Sequence, residues 1–366
     1  MRVLWVFEAL SPQMVAVAAE LDQQTDIELR IMTAGPLPHA LQHLAATTVA
    51  CRSKIDIRAR SQIRQYLKDH VYDIAHAYTS RNMANLAGAC WGLRNAPRLV
   101  GYRGTIDRLS PWDPANWLTF HHPRYARIVC VCQATQIALA ASGVPTHKLQ
   151  TVWEGCDARL IEPRPRSTLA EHGIPAGAFV VGSVANARRV KGLDILLQAA
   201  LELAELRDIY WLLVGRIVDP HVSRLAADSR IADRVRLIGS QARGGGFCNL
   251  MDLYVAPSRK EGLSMGIMEA MSQGVCPIVS DVGGNPELIR DGIEGRVIPP
   301  EIPSRLSHAI RELKANPQLR DRFALAAQQR AAEVFSIAAW SHRLAECYRQ
   351  LALNQQPAAL PPRAAA

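Results

Sequence analysis

Ten short apolar runs, five in each half of the chain, constrain the fold more than any other feature of the sequence. In the first half they are RVLWVF (2–7), IELRIMT (27–33), YDIAHAY (72–78), RLVGYR (98–103) and RIVCVCQ (127–133), with helix-compatible stretches between them. The second half repeats the scheme with FVVGSV (179–184), YWLLVG (210–215), RVRLIG (234–239), LYVAPS (253–258) and CPIVSD (276–281). Strand patterns alternating with helical ones predict parallel sheets with helices on both faces, because each parallel connection must cross back over the sheet. Between the two series, residues 155–178 (GCDARLIEPRPRSTLAEHGIPAGA) are rich in Pro and Gly and predict a linker with a hinge. The expectation is an α/β chain of two Rossmann-like, doubly wound domains, which 366 residues accommodate with a core in each.

Composition narrows the function. No apolar run approaches the about 20 residues of a membrane-spanning helix. The N-terminal MRVLWVFEAL carries an acidic residue in a strand pattern and no cleavage-site chemistry, so a chain that stays in the cytoplasm is expected. The eight cysteines show neither a CxxC pair nor Cys/His ligand spacing, and Cys130 and Cys132 alternate on an apolar strand as small core residues do. Neither a disulfide framework nor a zinc site is expected. The net charge of +9 favours anionic partners. Its excess is spread, about +5 before residue 156 and about +4 after it, which argues against a nucleic-acid stripe. Residues 336–353 (SIAAWSHRLAECYRQLAL) have a helix pattern with one broad apolar face, and the Pro/Ala-rich tail, 354–366, is expected to be flexible.

The densest chemistry lies in EGLSMGIMEA (261–270), which sets Glu261 and Glu269 eight positions apart across a loop-to-helix junction. Strand, loop and helix in that order aim the amides of Leu263, Ser264 and Met265 at the crevice outside the strand's carboxyl end. The helix expected over 264–273 is apolar almost all round, so Glu269 has little water-facing surface and needs donors, which ribose or sugar hydroxyls supply. Most surface Glu are simply solvated, and these surroundings are what set the pair apart. After FVVGSV, the turn ANARRVKGLD (185–194) crowds Arg188, Arg189 and Lys191 at another strand end. It matches neither the dinucleotide fingerprint nor the P-loop. A solvated charged turn is the plain alternative. Opposite a helix N-terminus, the same cations form a diphosphate clamp, each charge-assisted bond worth roughly 1.5–3 kcal/mol. A third element, DVGGNPELI (281–289), offers Gly283 and Gly284 for close backbone approach before Asn285 and Pro286 open a helix.

Together VANARRVKGLD, YWLLVG, LYVAPSRKEGLSMGIMEAMSQGVCPIVSDVGGNPELI and DGIEGRVIPP resemble the donor half of the family 4, group 1 glycosyltransferases over roughly residues 150–350. The resemblance implies the GT-B fold, two domains facing across a cleft, with 1–157 on the acceptor side and 158–335 binding the nucleotide-sugar donor. It implies that the helix 336–353 packs back onto the N-terminal domain. It also implies transfer of a sugar from a nucleoside diphosphate sugar with retention of configuration, without an obligatory metal or any cofactor beyond that co-substrate. Carried over, Arg188 and Lys191 hold the diphosphate, Glu261 faces the donor sugar and Glu269 binds the ribose hydroxyls. The backbone of Gly262, Leu263, Ser264 and Met265 meets phosphate and sugar oxygens, and Arg216 joins the donor-binding set. Front-face and covalent routes to retention both stay open.

The first half departs from the family pattern twice. EALSPQMVAVAAEL follows the first strand without a glycine, and Arg103 stands where the family has a His. Arg cannot serve as a general base at neutral pH, so Arg103 is expected to contact donor phosphate or an anionic acceptor. His76 falls at another frequent pocket position, although a packed His is the commoner outcome. Trp112, Trp117 and Phe120 beside Arg108, Arg124 and Arg127, with Arg60, Arg64 and Lys68 at helical spacing, suggest contact with an anionic membrane as against merely solvated faces. The acceptor would then be a lipid-linked sugar or a lipopolysaccharide core, and the protein would be peripheral at the inner face of the cell membrane. Alternatives are a sugar-nucleotide epimerase or glycosyl phosphorylase of the same fold, and a nucleotide-sugar binder without turnover.

Overall fold

The computed structural model describes residues 1–107, 109–110 and 112–353, so the flexible tail expected over 354–366 lies outside the described residues. The chain forms two compact units. The first comprises Met1–Val131, Gln136–Trp153 and the chain from Trp340 on; the second comprises Cys132–Thr135 and Glu154–Ala339.

The first unit is built on seven strands, β1 (Arg2–Val6), β2 (Glu28–Thr33), β3 (Ala45–Thr48), β4 (Ile74–Ala77), β5 (Arg98–Arg103), β6 (Tyr125–Cys130) and β7 (Leu149–Thr151). They lie in the order β3-β2-β1-β4-β5-β6-β7, and every pairing is parallel. The second unit has six, β8 (Phe179–Val184), β9 (Ile209–Val214), β10 (Val235–Gly239), β11 (Leu253–Ala256), β12 (Cys276–Ser280) and β13 (Arg296–Ile298). Their order is β10-β9-β8-β11-β12-β13, again wholly parallel. Both are doubly wound sheets covered by helices, which explains why central strands such as β4 and β11 are buried at every position. All ten expected strands are present. The three that the sequence pattern leaves unassigned, β3, β7 and β13, are edge strands of three or four residues, too short for a period to register.

The helix Ile337–Leu353 enters the first unit at Trp340. Trp340, Leu344, Tyr348 and Leu351 recur at the spacing of one helical face and are all buried. Tyr348 is the polar pivot of that contact. Its hydroxyl accepts from Trp5 Nε1 at 2.8 Å and pairs with His76 Nδ1 at 2.7 Å, beneath β1 and β4. His76 is thus a packed core residue, its pKa pushed down to about 3 by burial. Arg98 donates to the carbonyl of Leu351 at the helix's end, and Arg349 binds Asp26. Replacing Tyr348 by Phe strips two buried partners of one hydroxyl and should cost roughly 1–3 kcal/mol, read as a lower thermal midpoint with unchanged circular dichroism.

Candidate functional site

In the second unit the chain lays down β8, β9 and β10 toward one edge, then returns to place β11 on the other side of β8. Connections from those two neighbours leave in opposite directions, and the carboxyl ends of β8 and β11 flank the crevice where such sheets take ligands. A cavity of about 200 Å³ lies there, lined by Ser183, Val184 and Asn186 from β8 and its loop, Arg188 and Lys191 from the basic turn, and Tyr254 and Ser258 from β11 and its loop. Glu261, Ser264, Met265 and Gly266 also line it, with Ala185 and Ala256. The volume falls below the about 300–1,000 Å³ of typical small-molecule sites, so the cavity suits one charged part of a larger ligand.

The basic turn is held in place from behind. Gly192 adopts φ 65°, and a Cβ there would stand 1.9 Å from the Pro257 carbonyl oxygen, so only glycine lets the turn pack on the β11 loop. Arg259 then clamps the two segments. It donates to both carboxylate oxygens of Asp194 at 2.8 and 2.7 Å and to the Arg189 carbonyl at 2.8 Å, while its amide binds the Val190 carbonyl. Desolvation alone would raise the Asp194 pKa, but the Arg259 hydrogen bonds outweigh it and hold the carboxyl below its ordinary value.

Of the expected site residues, the structure brings Arg188, Lys191, Glu261, Ser264 and Met265 together around one cavity. Arg188 is exposed, and its guanidinium has no partner among the described residues. Lys191 and Glu261 form an ion pair at 2.5 Å, and Ser258 Oγ donates to the same carboxylate oxygen at 3.3 Å. The helix Met265–Ser272 begins after Ser264, whose side chain does not cap it. The amides of Leu263, Ser264 and Met265 have no hydrogen-bond partner among the described residues. Gly262 and Leu263 belong to the loop that leads in, where the Gly262 carbonyl accepts from Gly284. Arg216 does not line the cavity. It is exposed and fixed by its backbone, which donates to Asn186 Oδ1 at 3.1 Å and accepts from Ala187.

Glu269 lies on the same helix but faces a segment that the sequence reading passed over, Gly244–Gly246 after β10. A Cβ on Gly245 would sit 2.6 Å from the Glu269 carboxyl carbon. Gln273 fastens the arrangement by donating to the carbonyls of Gly245 and Glu269. No described residue donates to the Glu269 carboxylate, and burial pushes its pKa up to about 7. Three glycines in a row at a strand's carboxyl end were the signal for this contact. Tyr254, Asn186 and the Arg259–Asp194 clamp had no comparable motif.

In the first unit, Arg103 ends β5 and is engaged by its own loop. Its guanidinium donates to the Thr105 carbonyl at 2.9 Å, approaches Asp107 at 3.4 Å and lies 5.0 Å from the centre of the Phe120 ring. A donor phosphate or anionic acceptor, the contact expected for Arg103, would share the guanidinium with these partners. Phe120 is itself buried, so it leaves the suggested membrane-contact group, of which Trp112 and Trp117 are exposed and Arg108 lies outside the described residues. Arg60 and Arg64 are not free cations either: Arg60 donates to Lys54 O and Asn85, and Arg64 to the carbonyls of Ala89 and Trp91. Among the described residues no helix is long and apolar enough to cross a membrane.

Two family models match in tandem, glycosyltransferase family 4 over residues 15–160 and glycosyl transferases group 1 over residues 166–330. Among curated proteins the chain is 31% identical to an alpha-D-kanosaminyltransferase of Streptomyces kanamyceticus over 54% of this chain and 50% of that protein. It is also 31% identical to the lipopolysaccharide core biosynthesis mannosyltransferase LpcC of Rhizobium leguminosarum bv. viciae, over 46% of this chain and 50% of that one. The matches thus span about half the length of these curated relatives. Among solved structures, Anabaena Alr3699/HepE in complex with UDP matches with a TM-score of 0.77 and 20% identity, covering 96% of this chain and all of that one. This likeness shows the GT-B fold.

Glu269 carries a pH signature. An acid whose pKa is raised in the folded state adds stability that is fully present below its unfolded value and is lost as pH climbs through about 7. Glu269→Gln removes the charge and should therefore stabilise the fold relative to the native chain at pH 8 by on the order of 1–2 kcal/mol, read as a higher thermal midpoint, with a much smaller difference at pH 5. Equal midpoint differences at both pH values would contradict a desolvated carboxylate.

Proposed function

The chain belongs to the family 4, group 1 glycosyltransferases, and from that premise we propose that it transfers a sugar from a nucleoside diphosphate sugar to a glycan or glycolipid acceptor, with retention of anomeric configuration. The observation that carries the donor side is the cavity at the ends of β8 and β11, where Arg188, Lys191 and the helix amides at 264–265 converge. Departure of a nucleoside diphosphate builds negative charge, and fixed cations and N–H groups stabilise it where it develops. Glu269 accepts the ribose hydroxyls, and Glu261 addresses the donor sugar. Arg216 flanks the same entrance through its tie to Asn186. The UDP complex of the structural neighbour favours a nucleotide donor, and the lipopolysaccharide relative favours a cell-surface acceptor. On this reading the protein works at the inner face of the cell membrane, as a peripheral cytoplasmic enzyme.

The Lys191–Glu261 pair gives the two residues distinct tests. Lys191 holds a carboxylate that a diphosphate would compete with, so Lys191→Ala should weaken nucleoside diphosphate binding about tenfold or more. Glu261→Gln releases Lys191 and should leave that affinity unchanged or tighter, while lowering the transfer rate by about a hundredfold. Loss of nucleotide affinity in Glu261→Gln equal to that in Lys191→Ala would overturn the assignment.

A thermal-shift screen with UDP, GDP and ADP tests the donor site directly. A ligand at 100 times its dissociation constant should stabilise the chain by about 2.7 kcal/mol. No response to any of them, or to their sugar conjugates, would sink the reading. A second reading, nucleotide-sugar binding without turnover, is favoured by one observation: His76 is buried and Arg103 is tied to its own loop, so neither offers a base. Sugar transfer or donor hydrolysis by the native chain, reduced about a hundredfold in Glu261→Gln, would exclude it.

A further inference from the structure

The helix Ile57–Asp69 of the first unit buries Ala59, Ile63 and Leu67 and turns a different stripe outward. Ile57, Ser61, Arg64 and Lys68 share that stripe at helical spacing. Arg64 reaches across to the Trp91 carbonyl, which places Trp91 beside it. The apolar groups here are unusually bare: Ile57 is 79% exposed, Trp91 70% and Ile55, just before the helix, 60%. Their frame is cationic. Residues 51–70 carry six Lys or Arg against two acids, and the two acids are occupied, Asp56 capping the helix and Asp69 bound by Gln65. Arg52, Arg58 and Lys68 are exposed, as is Arg94 near Trp91. On the helix's other flank, Arg52, Arg58 and Gln62 line a cavity of about 360 Å³ together with Asp56.

We infer that this face docks the protein on an anionic phospholipid bilayer, with Ile55, Ile57 and Trp91 entering the interface and Arg52, Arg58, Lys68 and Arg94 meeting lipid phosphates. Exposed aliphatic and indole groups within a ring of free cations suit a surface that is negative outside and apolar beneath. A protein partner would need an equally acidic frame around an apolar centre. Arg60 and Arg64 contribute rigidity, since the Arg60 bond to Asn85 and the Arg64 bond to the Ala89 carbonyl tie the helix to its neighbour Ser80–Ala89. The inference deepens the membrane-side part of the proposed function, and its failure is separable from failure of the donor site.

The test is co-sedimentation of the full chain with phosphatidylcholine vesicles, with and without phosphatidylglycerol. Binding should need the anionic lipid and weaken with salt. The double variant Ile57→Ser/Trp91→Ser should reduce partitioning about tenfold or more. Arg58→Gln and Lys68→Gln should each cost roughly fivefold. All four positions are exposed, and an unchanged thermal shift with nucleotide reports an intact fold and donor site in each variant. Equal binding to both vesicle types, no binding to either, or loss of binding on Trp112→Ser while the Ile57/Trp91 variant binds normally would each overturn the inference. Competition by soluble glycerophosphate would also overturn it, by pointing to a ligand pocket in place of a bilayer contact. Nucleotide silence with vesicle binding intact would instead count against the donor site alone.

Discussion

The reversal of strand order beside β8 is the constraint on which the site depends. Right-handed crossovers carry the chain outward through β9 and β10, and the return to β11 forces neighbouring loops to part at the sheet's carboxyl edge. That parting creates a concave place before any functional residue is chosen. What the sequence then supplies is charge. The basic turn follows β8, and the Glu261 loop with its helix follows β11, so opposite signs and unpaired amides meet at one point because topology puts their strands side by side.

Charge in such a place is expensive unless it is paired, and the pairing is divided between two kinds of ion pair. Arg259 and Asp194 form a bidentate bond whose side chains are largely buried, and their work is to hold the turn and the loop in register. Lys191 and Glu261 are single-bonded at the cavity wall, and on the proposed donor reading they are the exchangeable pair. Separating the scaffold pair from the working pair lets the latter change partners without loosening the turn. Arg188 stays free of either, so it offers a full guanidinium fork to an incoming anion.

How much of this was legible depends on how local each signal is. Every central strand, the basic turn and the Glu261–Glu269 helix were readable because each is written in a few consecutive residues. The short edge strands β3, β7 and β13 were not, since three or four half-exposed residues carry no period, whereas the five-residue edge strand β10 was. Arg60 and Arg64 read as a basic membrane face in the sequence, yet Arg60 donates to Asn85 and Arg64 to the carbonyls of Ala89 and Trp91, partners that only the folded chain brings near, while Arg103 is held by Thr105 and Asp107 of its own loop. Likewise the Arg259–Asp194 bond spans 65 positions, and nothing in either segment announces the other.

Glu269 shows the same limit from the opposite side. Its apolar helix already implied a carboxylate short of donors, but only the folded chain shows that Gly245 lies against it, where a Cβ would stand 2.6 Å from the carboxyl carbon. The protein thereby keeps a strong acceptor in a place where no described residue supplies a donor, at a cost visible in a pKa near 7. A ligand that brings two adjacent hydroxyls relieves that cost as it binds, so part of its affinity comes from strain already present in the protein. On the proposed donor reading, a methyl group at position 245 would displace the carboxyl and remove that advantage while leaving Arg188 and Lys191 untouched, so the loop after β10 belongs to the site as much as the motif residues do.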